Sequence, residues 1–142
     1  MKKNVFTAFV IVFSLLITIW SGCDSNNDPN TEEFIIQIDS IVHVDTITFG
    51  ETLSIKFYGK VGPDKCYAFD RLSPEFIEIS DIKGELDVTS YGIHTFEDIC
   101  PEGEVYMNGS ELIVSDIPAG DLVIKAIQPD GSAITQNVFI KE

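Results

Sequence analysis

The chain has 142 residues, with 23 acidic side chains against 9 Lys and Arg and a formal net charge of −14. That length suits one domain, and a hydrophobic content of 44% supplies a packed core rather than long disorder. All 23 acids follow position 23 while Lys2 and Lys3 precede it, so the chain beyond that point stands at 7 − 23 = −16, a surface that excludes nucleic acid and leaves an anionic membrane unattractive without a covalent anchor.

Lys2 and Lys3 stand before Val5–Trp20, sixteen residues without a charge. A spanning helix needs about 20 apolar residues, so this shorter run reads as a secretory signal. Ser21, Gly22 and Cys23 close it. Small residues before a cysteine at this place resemble the lipobox of bacterial lipoprotein signal peptides, with Trp20 a departure from the aliphatic residue usual there. The resemblance implies a signal peptide over 1–22, cleavage after Gly22 and a diacylglyceryl thioether on Cys23. Each buried CH₂ contributes about 0.8 kcal/mol, so two or three acyl chains anchor stably where one does not. An uncleaved anchor and an ordinary cleaved signal are the alternatives.

Residues 23–33 are polar, contain Pro29 and show no periodicity, which predicts a flexible tether. Asp24, Asn26 and Asp28 imitate the first ligands of a calcium loop, but Pro29 and Ile35 stand where a turn glycine and a bidentate Glu belong. Acidic residues after a lipidated cysteine are sorting signals in some bacterial lipoproteins. The expected position is the outer membrane or cell surface rather than the inner membrane.

From Phe34 to Glu142 the apolar period is two. Leu53, Ile55 and Phe57 alternate with polar neighbours, as do Ile77 and Ile79, Leu86 and Val88, Leu122, Ile124 and Ala126, and Val138 and Ile140. Turn signals at Gly62-Pro63-Asp64, Ser73-Pro74, Lys83-Gly84, Tyr91-Gly92, Asn108-Gly109 and Pro129-Asp130-Gly131 divide the runs into about seven or eight short strands. The pattern predicts an all-β fold, a two-sheet antiparallel sandwich closed by a hairpin near 121–140. The stretches Asp45–Phe57 and Ile117–Ala126 resemble the small immunoglobulin-like domains of bacterial envelope lipoproteins. That resemblance implies an immunoglobulin-like topology and little chemistry. The tryptophan that packs on the intersheet disulfide of antibody domains is missing, since Trp20 lies in the signal.

With Cys23 set aside, Cys66 and Cys100 remain in an exported chain, and an oxidising compartment makes one disulfide the expectation. Two buried free thiols are the rival reading. A redox or metal pair would need CxxC spacing or partner histidines. His43 sits in the strand-like run Ile41–Val44 and reads as a strand-face side chain. His94 lies four residues before Asp98 but without a GxSxG elbow, so neither a catalytic triad nor a zinc set is supported. No cofactor, metal or enzyme activity is expected. Tyr91, Phe96 and Tyr106 fall in the segment 84–109, read here as loops. Tyr91 and Tyr106 are candidate ligand-contacting aromatics, since tyrosine offers rigid area with a polar tip. Core packing is the alternative for each and the stronger reading for Phe96. The triplets Asp39-Ser40-Ile41 and Asp45-Thr46-Ile47 resemble an O-glycosylation sequon of one bacterial group.

Together these features predict a lipid-anchored envelope module that binds a protein or glycan partner through its loops. A structural or assembly accessory that docks by a sheet edge is the alternative. Replacing the anchor cysteine, Cys23→Ser, is expected to release the protein from the membrane fraction or to leave an unprocessed precursor. Fractionation and blotting read the result, and normal processing with full membrane retention would contradict lipidation.

Overall fold

The computed structural model describes residues 30–80 and 83–142; the apolar run, Cys23 and most of the tether lie outside the described residues. Nine strands follow in order: β1 Thr31–Ile35, β2 Ser40–Val42, β3 Thr46–Thr48, β4 Leu53–Asp64, β5 Tyr67–Ser80, β6 Lys83–Thr95, β7 Glu102–Val114, β8 Gly120–Ile127 and β9 Ala133–Lys141. Pairing starts at Thr31, three residues before the domain start read from the sequence. The all-β expectation holds, and the strands form two sheets, the smaller in the order β2-β4-β7.

In the larger sheet β5 pairs with β6 along its whole length, from Tyr67↔His94 to Ser80↔Lys83. The opposite edge of β6 is shared. β8 takes Lys83–Thr89 in parallel and β1 takes Tyr91–Thr95 antiparallel. β9 then pairs with β8 antiparallel, and β3 closes the row parallel to β9. The larger sheet is therefore mixed, and the wholly antiparallel arrangement expected from the sequence does not hold for it. Parallel neighbours need a crossover, and β7 in the opposite sheet is the crossover between β6 and β8.

Several glycine and proline signals fall inside long strands rather than between short ones. Pro74 lies within β5, which tolerates it because β5 is an edge. Gly92 lies within β6 under the Phe34 ring, where an added Cβ would stand 2.6 Å from Cζ. Asn108-Gly109 is a bulge in β7, with φ +83 at Gly109 and a register shift opposite Phe57 and Tyr58. The closing hairpin is where the sequence puts it. β8 and β9 join through Pro129-Asp130-Gly131, and the Asp130 carboxylate accepts hydrogen bonds from Ser132 N at 2.9 Å and Ser132 Oγ at 2.6 Å.

The period-two runs supply the core. Leu53, Ile55 and Phe57 of β4 are fully buried against Leu86 and Val88 of β6, Leu122, Ile124 and Ala126 of β8, and Val138 and Ile140 of β9. Ile36 and Ile38, between β1 and β2, join the same cluster. Here the chain leaves the larger sheet for the smaller: Ile36 N donates to Ser90 O at 2.8 Å and Asp39 N to Tyr58 O at 2.8 Å. Gln128 is buried at this crossing. Its Oε1 accepts from Ile38 N at 3.1 Å, and its Nε2 donates to Ala126 O at 3.2 Å. A buried donor stripped of its partner costs about 1–3 kcal/mol, so Gln128→Leu is expected to lower the unfolding free energy by about that amount. Urea denaturation measures it, and an unchanged midpoint would mean that another group satisfies Ile38 N.

Candidate functional site

The connection from β6 to β7 is short, Phe96–Pro101, not the long loop expected over 84–109. Cys66 and Cys100 are joined in a disulfide, Cα–Cα 5.4 Å, across a separation of 34 residues. On the chain-entropy account a loop of that size gives at most about 4 kcal/mol of stabilisation. The cross-link is reinforced by main-chain bonds on both sides. Lys65 N donates to Pro101 O at 3.0 Å, Thr95 N to Cys66 O at 2.9 Å and Phe96 N to Asn30 O at 2.7 Å. Cys66 N is itself capped by Asp64 Oδ1 at 3.0 Å. Asp64 and the two sulfurs lie within 4.8 Å of one another, but both sulfurs are spent in the disulfide and leave one carboxylate to offer a metal.

This tied-down loop presents apolar groups to solvent. Ile99 is 82% exposed and Phe96 54% exposed, so the core position expected for Phe96 is not where it lies. Phe96 ends a row of rings. It meets His94 in a T-shaped contact at 4.6 Å, His94 stacks on Tyr67 at 4.2 Å, and Tyr67 and Phe34 form a second T-shaped pair at 5.7 Å. Phe34 and Tyr67 pack on the core, so the row runs from the interior to the exposed loop. His94 thus serves as a stacking element. His43, just past β2, has Nδ1 2.9 Å from Val44 O.

Tyr91 and Tyr106, the two candidate ligand aromatics, are strand residues on separate sheets and are not brought together. Tyr91 is half-buried under the Arg71 guanidinium, 4.4 Å from the ring centroid. Arg71 in turn pairs with Glu33 at 2.5 Å and with Asp70. Tyr106 is exposed on the smaller sheet, where its hydroxyl donates to Glu104, which also pairs with Lys60. The hydrogen bond from Lys60 first, and that from Tyr106 second, pull the Glu104 carboxyl below its ordinary range, and bonding to Glu104 raises both donors. Beside it lies an open groove of about 550 Å³ lined by Gln37, Asp39, Lys60, Val61, Gly62 and Tyr106. Lys60 and Tyr106 at its side are thus engaged by Glu104. Ser40 and Thr46, the hydroxyls of the two sequon-like triplets, are exposed on the short strands β2 and β3.

Across the outer face of the larger sheet, Glu75, Asp87 and Lys125 stand in register on β5, β6 and β8. Lys125 pairs with Glu85, and Asp87 Oδ1 is buried without a hydrogen-bond partner. Burial, then the Glu85 charge, raise the Asp87 carboxyl above its ordinary range. A carboxyl raised in the fold costs stability when ionised, and the cost disappears as pH falls through the folded value to the unfolded one. Asp87→Asn is therefore expected to raise the melting temperature at pH 7, with a gain that shrinks on acidification into the carboxylate range. Equal gains at all pH values would contradict this.

The fold and these surfaces define an all-β, two-sheet domain with a disulfide-tied apolar loop. Comparison with family models, curated proteins and solved structures gives no match.

Proposed function

We propose that the chain is a lipid-anchored, non-catalytic interaction module of a bacterial cell envelope. Its domain is an immunoglobulin-like sandwich modified by the parallel β6–β8 pair. The lipid is carried by Cys23, and the partner is gripped by the Phe96–Pro101 loop. The observation that carries the reading is the exposure of Ile99 and Phe96 on a loop that a disulfide and main-chain bonds hold rigid. Exposed apolar groups on a rigid loop lose little freedom on binding, and burying such a side chain contributes about 1.5–3 kcal/mol. The chain enters the domain beside this loop, since Asn30 O bonds Phe96 N. Seven residues from Cys23 to Asn30 reach at most about 25 Å. A partner of the loop would therefore lie close to the membrane.

A photo-crosslinking residue at Ile99 in the full-length chain, expressed in its own cells, tests the reading. The expected result is one discrete adduct from position 99 and none from exposed Asn137 on β9. The double variant Phe96→Ala, Ile99→Ser should lose the partner's copurification without a fall in melting temperature. Equal adducts from both positions, or copurification unaffected by the double variant, would overturn it.

A further inference from the structure

The outer face of the smaller sheet carries two tyrosines in adjacent rows. Ser40, Tyr58 and Asn108 stand in register across β2, β4 and β7, and Lys60 stands opposite Tyr106 in the next row. Tyr106 is therefore the diagonal neighbour of Tyr58, a spacing of about 7–8 Å that aromatic side chains span. The β7 bulge sets the Tyr58 ring. Gly109 has φ +83 at the register shift, and a Cβ there would stand 3.0 Å from Tyr58 Oη and 3.2 Å from Cζ. The missing Cβ lets the ring lie over Gly109, against the surface of the sheet. Tyr106 is held by its hydroxyl, which donates to Glu104, and Lys60 engages the same carboxylate.

The polar groups around the two rings are uncommitted. The Ser40 hydroxyl and the Asn108 amide flank Tyr58, and Gln37 and Asp39 line the groove of about 550 Å³ beside Tyr106. All four side chains are exposed, and among the described residues none of them bonds another part of the protein. Sites for small molecules have volumes of about 300–1,000 Å³ and set a few polar groups beside apolar area. The charges of this face are close to balance, since Lys56 stands opposite Glu111 and Lys60 pairs with Glu104, in a domain that stands at −16. The exposed aliphatic side chains, Val42 and Ile113, lie in the farther rows with Lys56 and Ser54.

We propose that this face binds an uncharged oligosaccharide, with Tyr58 and Tyr106 beneath its sugar rings and Gln37, Asp39, Ser40 and Asn108 on its hydroxyls. A pyranose is two-sided in its chemistry. Its C–H face is apolar and covers an aromatic ring, and its rim of hydroxyls both donates and accepts. The tyrosine rings supply the first contact. The amides and the serine hydroxyl donate and accept, and the carboxylate accepts. An anionic sugar would meet Asp39 and the field of an acidic domain. A proline-rich peptide also docks on aromatic rings, but it needs apolar walls between them, and hydroxyl, amide and carboxylate groups stand there instead. The site shares no residue with the Phe96–Pro101 loop and is independent of the partner proposed for it.

The full-length chain, in a polyoxyethylene detergent that carries no sugar, is titrated calorimetrically with maltohexaose, cellohexaose, mannohexaose and xylohexaose. A galacturonate hexamer and decaproline are the comparisons. The expected result is saturable binding of at least one neutral hexasaccharide, with both comparisons at least tenfold weaker. Tyr106→Ala should weaken that sugar at least tenfold, whereas Tyr106→Phe, which keeps the ring, should retain most of the affinity. Gln37→Ala, an exposed change in the groove, should weaken it at least threefold and serves alone should Tyr106→Ala fail to fold. The double variant Phe96→Ala, Ile99→Ser should bind the sugar as the unaltered chain does, which separates this site from the loop. Absence of saturable binding by all the neutral sugars, equal binding of the galacturonate hexamer, tighter binding of decaproline, affinity unmoved by Tyr106→Ala or Gln37→Ala in a folded protein, or loss of sugar in the double variant would each overturn the proposal.

Discussion

Two strands run toward each other along one edge of β6, and the fold depends on how that meeting is resolved. β1 ends opposite Tyr91 and β8 ends opposite Thr89. Neither can continue, so both chains must leave the sheet at Ser90. A chain that leaves a ladder inside a core strands its main-chain groups. The carboxamide of Gln128 takes one group from each side, Ile38 N and Ala126 O. Ser90 is fully buried at the junction, and its carbonyl receives Ile36 N. Because the meeting is satisfied, Ile36 and Ile38 can cross between the sheets and plug the core between them.

This arrangement also sets where the outward surfaces lie. β6 spans the larger sheet from one end to the other, with β5 on its free side. At its Thr95 end, the disulfide and the incoming chain gather around the Phe96–Pro101 loop. At its Lys83 end, β5 runs out with its exposed isoleucines. The two apolar surfaces are thus separated by the length of one strand, and acidic side chains populate the faces between them. The excess of negative charge opposes nonspecific association.

Much of the candidate surface was not legible in the sequence. The turn chemistry of Tyr91-Gly92 and Asn108-Gly109 points to loops at Tyr91 and Tyr106. In the fold Gly92 is needed for the close approach of Phe34, and Gly109 for a bulge beside Tyr58. Both demands come from residues distant in sequence. Ile99 is silent in the sequence, since one isoleucine between Asp98 and Cys100 carries no periodic signal. Its significance arises from the disulfide that fixes its loop. The length of β5 is hidden for a similar reason. Ser73-Pro74 carries turn chemistry, and only an edge position lets proline sit in a fourteen-residue strand.

The sequence by itself determined the all-β class, the inward faces of β4, β6, β8 and β9, the closing hairpin and the cysteine pair, but not the face of β5, where the alternating Ile77 and Ile79 lie exposed. These follow from local rules: a period of two, the demands of a tight turn, and two cysteines in the strand-forming segment. The tertiary structure alone decided which strands are neighbours, that two pairs are parallel, and which strand is left with an open edge. Strand alternation specifies a face but not a partner, because main-chain hydrogen bonds are the same for every residue that has an N–H. Partner choice emerges only when the whole core is assembled.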